Sequence, residues 1–286
     1  MKKILAEAPP TALDVPYGKH PKQVLHFWKA ASNKPTPLIF YIHGGAWHGG
    51  HRALVGSDQV KAILAKGFSL VSVEYRFVQD APAEGVTPPV KAAMLDCARA
   101  LQFVRSKAKE WNIDKNRIGA TGGSAGGCTS LWLAFHPDLA DPKSADPVAR
   151  ESSRPTCSAV VNAQTSLDPV QMREWTPNSN YGGHAFGVTG QFAGFLAARE
   201  QILPWIKEYS PMELVSAGAA PVMLFYKNAP DFGHNAKDPT HTANFGVKLK
   251  ERCDELKVPC EFVYPGAPNV KHQEVYEYLY DQLSLP

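Results

Sequence analysis

Short apolar runs recur along the chain: PLIFYIH (37–43), GFSLVSVEY (67–75), RIGATG (117–122), SAVVNA (158–163), PVMLFYK (221–227) and CEFVYP (260–265). Most lack the strict alternation of a strand with one wet face, which is how strands buried on both faces of a parallel sheet read. Between them, apolar residues recur at helical spacing over 57–66, 90–110, 124–135, 243–257 and 273–284. In the second of these, Val90, Met94, Cys97, Leu101 and Val104 share one face. Alternation of strand and helix predicts an α/β chain with a mostly parallel central sheet flanked by helices on both faces. The N-terminal pieces ALDVPYG and QVLHFWKA are candidates for antiparallel edge strands.

Two regions break this rhythm. Residues 136–157 are rich in Pro, Asp and Ser and read as a loop. Residues 168–212 contain no strand pattern and run into the helical stretch FLAAREQILPWIKEY. A segment of that size inside an α/β chain is expected to be a cap or lid over a binding site. No repeat, low-complexity tract or linker divides the chain, so residues 1–286 are expected to form one domain with the cap inserted at about 168–212. Asp168, at the start of that insertion, reads as a turn or cap-anchoring residue.

Composition narrows the partners rather than the chemistry. Apolar residues make up 44% of the chain and charged residues 20%, a globular balance. A formal charge of +3 gives no field that would favour nucleic acid. No apolar run approaches the roughly 20 residues of a membrane span. The opening MKKILAEAPP has too short an apolar stretch for a signal peptide, so the chain as written reads as cytoplasmic, or as periplasmic or secreted if a leader preceded it. The five cysteines form no CxxC pair and read as small buried hydrophobes rather than a disulfide framework or a zinc site. Oligomeric state is not encoded in any of these features.

The chemistry begins at RIGATGGSAGG, residues 117–127, where five glycines surround one serine. A strand-like run leads in and a helical run leads out, with Gly122-Gly123-Ser124-Ala125-Gly126 at the junction. That is the nucleophile-elbow pattern: a sharp turn lifts the serine hydroxyl above the sheet, and side chains two residues to either side would collide. The lysine that a phosphate loop needs after its last glycine is missing. A serine nucleophile needs donors for the oxyanion of its tetrahedral intermediate. The glycine-rich YIHGGAWHGG (41–50) follows the first strong strand and suits that role. The backbone N–H groups of Gly45 and Ala46, with Gly44 adjacent, and of Ala125 after the nucleophile are the expected donors. His43 is expected to brace this loop, and the spacing of His43, His48 and His51 matches no common zinc pattern, so no metal is expected. Trp47 reads as a pocket wall or as core.

HGGAW after one strand and GGSAGG after another together resemble the α/β-hydrolase esterases and lipases, in particular the hormone-sensitive-lipase-like and BD-FAE-like carboxylesterases. The resemblance runs from about residue 36 to the C-terminus and implies an α/β-hydrolase fold, a Ser–acid–His triad in that chain order and no cofactor. It places the histidine after the last strand, which singles out His272. It places the acid after the preceding strand, at Asp231 or alternatively Asp238, with Asp231 favoured by its distance from the strand end. Trp47, Trp175, Tyr181 and Phe186 would line the substrate pocket, although an aromatic set in a cap can equally be its own small core. The implied function is a serine carboxylic ester hydrolase acting on small to medium esters, with carbohydrate-linked acetyl or feruloyl esters as candidates. The same residues would serve an arylformamidase or a peptidase. A binding protein that keeps the fold without catalysis is the alternative from another class, and the presence of serine, histidine and acid argues against it.

Overall fold

Burial along Thr36–Ile42 (β3) shows why the apolar runs form a two-faced sheet. Leu38, Phe40 and Ile42 join the core on one side and Ile39 joins the core on the other, all fully enclosed. Side chains alternate faces along a strand, so a run apolar at every position needs cover on both sides. Each such side chain contributes about 1.5–3 kcal/mol through burial. The computed structural model describes residues 2–284.

Eight strands form one sheet. In chain order the others are β1 (Ala12–Pro16), β2 (Val24–Trp28), β4 (Ser69–Val73), β5 (Ile113–Gly123), β6 (Cys157–Val161), β7 (Val222–Phe225) and β8 (Cys260–Val263). Their order across the sheet is β1-β2-β4-β3-β5-β6-β7-β8. From β4 to β8 every neighbouring pair is parallel, while β1–β2 and β2–β4 are antiparallel, as expected of the N-terminal edge pieces.

One face carries α1 (Lys2–Glu7), α2 (Ser57–Ala65) and α10 (Val275–Ser284) on a core that includes Val60, Ile63, Leu279 and Leu283. The other carries α3 (Val90–Ser106), α5 (Ala125–Phe135) and α9 (Asn244–Glu255) on a larger core that includes Met94, Leu101, Leu131 and Leu249. The helical pattern over 90–110 is interrupted at Lys107, and a further turn, α4 (Ala108–Trp111), follows. It stops at Asn112, which takes a left-handed φ of 55° and donates from Nδ2 to the carbonyls of Ser32 and Lys34. Asparagine tolerates that conformation better than most residues. All five cysteines carry free thiols, and four of them are buried.

The antiparallel edge hides one titratable group. His26 on β2 is completely enclosed; its Nδ1 accepts from the Asp14 N–H at 3.2 Å, and its Nε2 has no partner among the described residues. Burial, reinforced by the nearby Arg52 charge, lowers its pKa to about 4. The unfolded chain takes up this proton near pH 6.5, whereas the folded chain resists it until about pH 4. Stability is therefore unaffected by this group above 6.5 and falls as pH drops through that window. Thermal midpoints of His26→Gln are expected to decline less than those of the parent between pH 6.5 and 4; parallel curves would show that His26 contributes nothing.

Candidate active site

β5 ends at the point where the sheet meets α5, and Ser124 occupies the corner with φ 53° and ψ −125°. No residue but glycine adopts that region without strain. The turn is held on both sides: the Ser124 N–H donates to the Val161 carbonyl at 3.0 Å, and the Ser124 carbonyl accepts from Cys128 N–H at 2.9 Å as α5 begins. A Cβ on Gly122 would run into the Ile42 carbonyl, and one on Gly126 would run into the carbonyls of Ile42 and His43. The glycines flanking the serine are thus required by the close approach of β3, the neighbouring strand.

The loop after β3 lies directly against this corner. A Cβ on Gly44 would sit 2.7 Å from the Gly123 carbonyl and 3.5 Å from the Ser124 Cβ. Gly45, Ala46 and Trp47 all take positive φ (113°, 57° and 53°), which coils the backbone beside the serine. The N–H groups of Gly45, Ala46 and Ala125 enter no hydrogen bond among the described residues. That of Ala125 also sits at the N-terminus of α5, where the helix dipole favours negative charge. His43 is fully buried below, its Nδ1 2.8 Å from the Gly44 carbonyl and its Nε2 2.9 Å from Glu74. Burial raises the Glu74 pKa, but the bonds from His43 and Arg52 outweigh it and hold the carboxyl below its usual range. His43 therefore braces the loop from beneath.

The imidazole that meets Ser124 is His241. Ser124 Oγ–H donates to His241 Nε2 at 2.9 Å, and His241 Nδ1–H donates to Asp238 Oδ2 at 2.7 Å. An ionised carboxylate only accepts, so Nδ1 carries the proton and Nε2 is left as the acceptor that faces the serine. The His241 side chain is 31% exposed and that of Asp238 is 55% exposed, so the dyad opens to solvent.

This corrects the expected partners. His272 lies on the α10 face of the sheet, with Nδ1 2.9 Å from Glu261 and Nε2 3.3 Å from Asp281. Its ring stands edge-on to Tyr278 of α10 at 5.4 Å. Glu261 is paired in register with Met223, which belongs to the α10-side core, so it draws the histidine beneath the sheet. Strand order adds a second reason. β8 is three strands from β5, about 14 Å, whereas β7 is two strands away, about 10 Å, and the long connection 226–243 after β7 arches back over the corner. Asp231 is likewise placed apart: it bonds His234 at 2.6 Å, and both side chains are exposed. The alternative acid, Asp238, is the one at the imidazole. Sequence reasoning missed His241 because it looked only beyond the last strand. The available signal was Asp-x-x-His in the β7–α9 connection, but DFGH (231–234) and DPTH (238–241) both carry it.

The aromatic residues expected in the pocket are mostly core. Trp47 is fully buried and its indole N–H donates to Thr129 Oγ1 at 2.9 Å. Trp175 packs edge-on against Phe245. Phe186 packs against Phe195 and Trp205. Tyr181 is half-buried, and its enclosed hydroxyl has no partner among the described residues; burial pushes its pKa well up. The segment between β6 and β7 forms α6 (Pro169–Trp175), a 3-10 turn (Gly183–Phe186), α7 (Phe192–Tyr209) and α8 (Pro211–Leu214). Asp168 caps α6 by accepting from Val170 N–H at 2.8 Å, and it pairs with Arg199 of α7 at 2.8 Å. A cavity of about 530 Å³ opens beside this segment, lined by His48, Gln79, Asn180, His184, Phe192 and Phe195 among others, none of them charged apart from any protonated imidazole. His184 Nε2 lies 3.0 Å from the Ala46 carbonyl, which joins the cavity wall to the loop beside Ser124. Burial lowers the His184 pKa, so its ring is neutral near pH 7 and donates to that carbonyl.

Comparison with known proteins agrees with this architecture. The BD-FAE family pattern matches residues 26–234. Esterase LipC of Mycobacterium tuberculosis is 32% identical over 115 residues, covering 39% of this chain and 26% of LipC. An arylesterase of Saccharolobus solfataricus is 34% identical over 94 residues, 32% of this chain and 27% of that protein. The matched stretches thus span only about a quarter of these relatives' length. Among solved structures, a truncated carbohydrate esterase from gut microbiota superposes with a TM-score of 0.71 at 18% identity, covering 96% of each chain. An acetyl ester-xyloside bifunctional hydrolase from Caldicellulosiruptor lactoaceticus gives 0.64 at 22% identity, covering 90% of this chain and 86% of that one. The fold is that of the α/β-hydrolases.

Proposed function

The chain belongs to the BD-FAE family, and from that premise we propose that it is a serine carboxylic ester hydrolase working through an acyl-enzyme. The observation that carries this reading is the 2.9 Å hydrogen bond from Ser124 Oγ to His241 Nε2 at a strained strand-to-helix corner. His241 takes the serine proton as Oγ attacks the ester carbonyl. The N–H groups of Gly45, Ala46 and Ala125 receive the oxyanion. Asp238 holds the Nδ1–H tautomer and balances the imidazolium. Collapse of the intermediate expels the alcohol, which takes the proton back from Nε2. Water activated by the same imidazole then attacks the acyl-serine and releases the acid.

The esterase and arylesterase relatives support ester chemistry, and the carbohydrate esterase and acetyl ester-xyloside hydrolase among the structural neighbours favour acetyl groups carried on carbohydrate. The residues between β6 and β7 act as the cap in this reading. The cavity of about 530 Å³ beside this segment is lined by neither Ser124 nor His241; it adjoins the site only through His184 on the Ala46 carbonyl, and its amide, imidazole and aromatic wall would suit an uncharged part of the substrate lying away from the scissile bond. No helix of the described residues is long and apolar enough to cross a membrane.

A fluorophosphonate probe is expected to label Ser124 in the folded protein, and p-nitrophenyl esters from acetyl to dodecanoyl should be cleaved with preference for the short chains. N-formylkynurenine should be a poor substrate. Cleavage of N-formylkynurenine with no turnover of acetyl ester would replace the esterase reading by an arylformamidase one. Absence of labelling on folded protein would leave a binding protein.

A further inference from the structure

The residues that face Ser124 ride on a connection with little core of its own. From Lys227 to His241 no residue is buried. Hydrophobic burial therefore does not hold this stretch, yet its far end must present an imidazole within hydrogen-bond reach of the serine.

Four side-chain amides from other elements grip its backbone instead, the first being Asn162, whose Oδ1 accepts from the Lys227 N–H at 3.1 Å. Asn244, the first residue of α9 and fully buried, accepts from Asp231 N–H at 2.8 Å through Oδ1; its Nδ2 donates to the Trp175 carbonyl at 2.7 Å and to the Asp231 carbonyl at 3.1 Å. This closes the mouth of the loop. Gln164, just past β6, donates from Nε2 to the Thr240 carbonyl at 2.6 Å. Asn178, on the insertion after α6, makes a reciprocal pair with Ala236: its Nδ2 donates to the Ala236 carbonyl at 2.8 Å, and its Oδ1 accepts from the Ala236 N–H at 3.0 Å. The pairing imitates one rung of a β-ladder, and it lies two residues before Asp238.

We infer that Asn178 is a positioning residue for the catalytic imidazole, and that through it the insertion holds the loop carrying Asp238 and His241 in register with Ser124. The inference rests on the hydrolase reading above. Asn244 and Gln164 fix the two ends of the loop. Asn178 fixes its middle, where nothing else described in the structure bonds the Ala236 backbone. Releasing that rung frees the loop around Asp238 and His241 without removing a buried side chain. A displacement of about 1 Å in a reacting group can cost on the order of 10² in rate.

Asn178→Ala is expected to lower kcat about 10- to 100-fold and leave KM within about threefold. Asn178→Asp keeps the acceptor for the Ala236 N–H and loses the donor, so its kcat should fall between the two, which also guards against a folding defect in the alanine variant. Because Asn178 acts through the imidazole, adding Asn178→Ala to a His241→Ala protein should not lower the residual rate further. An alanine variant with the parent's kcat would overturn the positioning role, as would a full further loss in the His241→Ala background. If the parent neither cleaves p-nitrophenyl acetate nor labels with fluorophosphonate, the hydrolase reading itself fails and the inference goes with it.

Discussion

Replacing His241 by alanine is expected to lower kcat for p-nitrophenyl acetate by about 10⁴- to 10⁶-fold, while His272→Ala stays within a few-fold of the parent. The asymmetry follows from where the ring nitrogens point. His241 Nε2 is the acceptor on the Ser124 hydroxyl, and without it the nucleophile has no base and the leaving alcohol no acid. KM should move little, because the loss falls on the transition state. His272 is engaged by Glu261 and Asp281 on the α10 side of the sheet, so its removal shows in stability. Deleting it takes the imidazole from Glu261, while Asp281 keeps its ion pair with Lys271 at 2.7 Å, and the thermal midpoint should fall. Initial rates and melting curves on the two variants check both halves. Loss of turnover in His272→Ala with turnover kept in His241→Ala would require a rearranged β8–α10 loop.

The second large effect concerns the acid. Asp238→Asn is expected to reduce kcat by roughly 10²- to 10³-fold, somewhat less than the 10⁴ or so seen when a deeply buried triad acid is changed to the amide. The amide can offer its NH₂ group to Nδ1 and so favour the tautomer with the proton on Nε2, which cannot accept from the serine. The smaller magnitude reflects the exposure of Asp238, 55% for the side chain, since water can take over part of its role. Asp231→Asn should change kcat by no more than about twofold, because an exposed Asp–His pair contributes little. Parallel kinetics on the two amide variants decide the matter. A large loss confined to Asp231→Asn would move the acid to the other dyad.

The two Asp-x-x-His motifs show where sequence reasoning stops. Both stand in one connection at identical spacing, and both form an Asp–His pair in the folded protein. Only their position along the arch distinguishes them, and that position depends on the grip of Asn178, Gln164 and Asn244, residues separated from the dyad in sequence. His272 was an attractive candidate because it precedes a helix after the final strand. Its actual partners, Glu261 and Asp281, lie 11 and 9 positions away in the chain and converge only when α10 packs on the sheet. Trp47, Trp175 and Phe186 show the same limit: an aromatic residue near a site looks alike from sequence whether it faces substrate or core, and the sequence leaves both readings open.

What could be read without coordinates was local. The strand-to-helix glycines around Ser124, the glycine pair after β3, the two-faced apolar strands and the antiparallel N-terminal edge each follow from constraints on a few adjacent residues: sterics at a turn, φ available to glycine, and burial periodicity. The partner of the serine, the choice between two acids and the shape of the pocket arose only with folding. They are decided by which loop can span the distance from its strand to β5 and by which polar groups catch each histidine on the way, and neither is a property of any short stretch of chain.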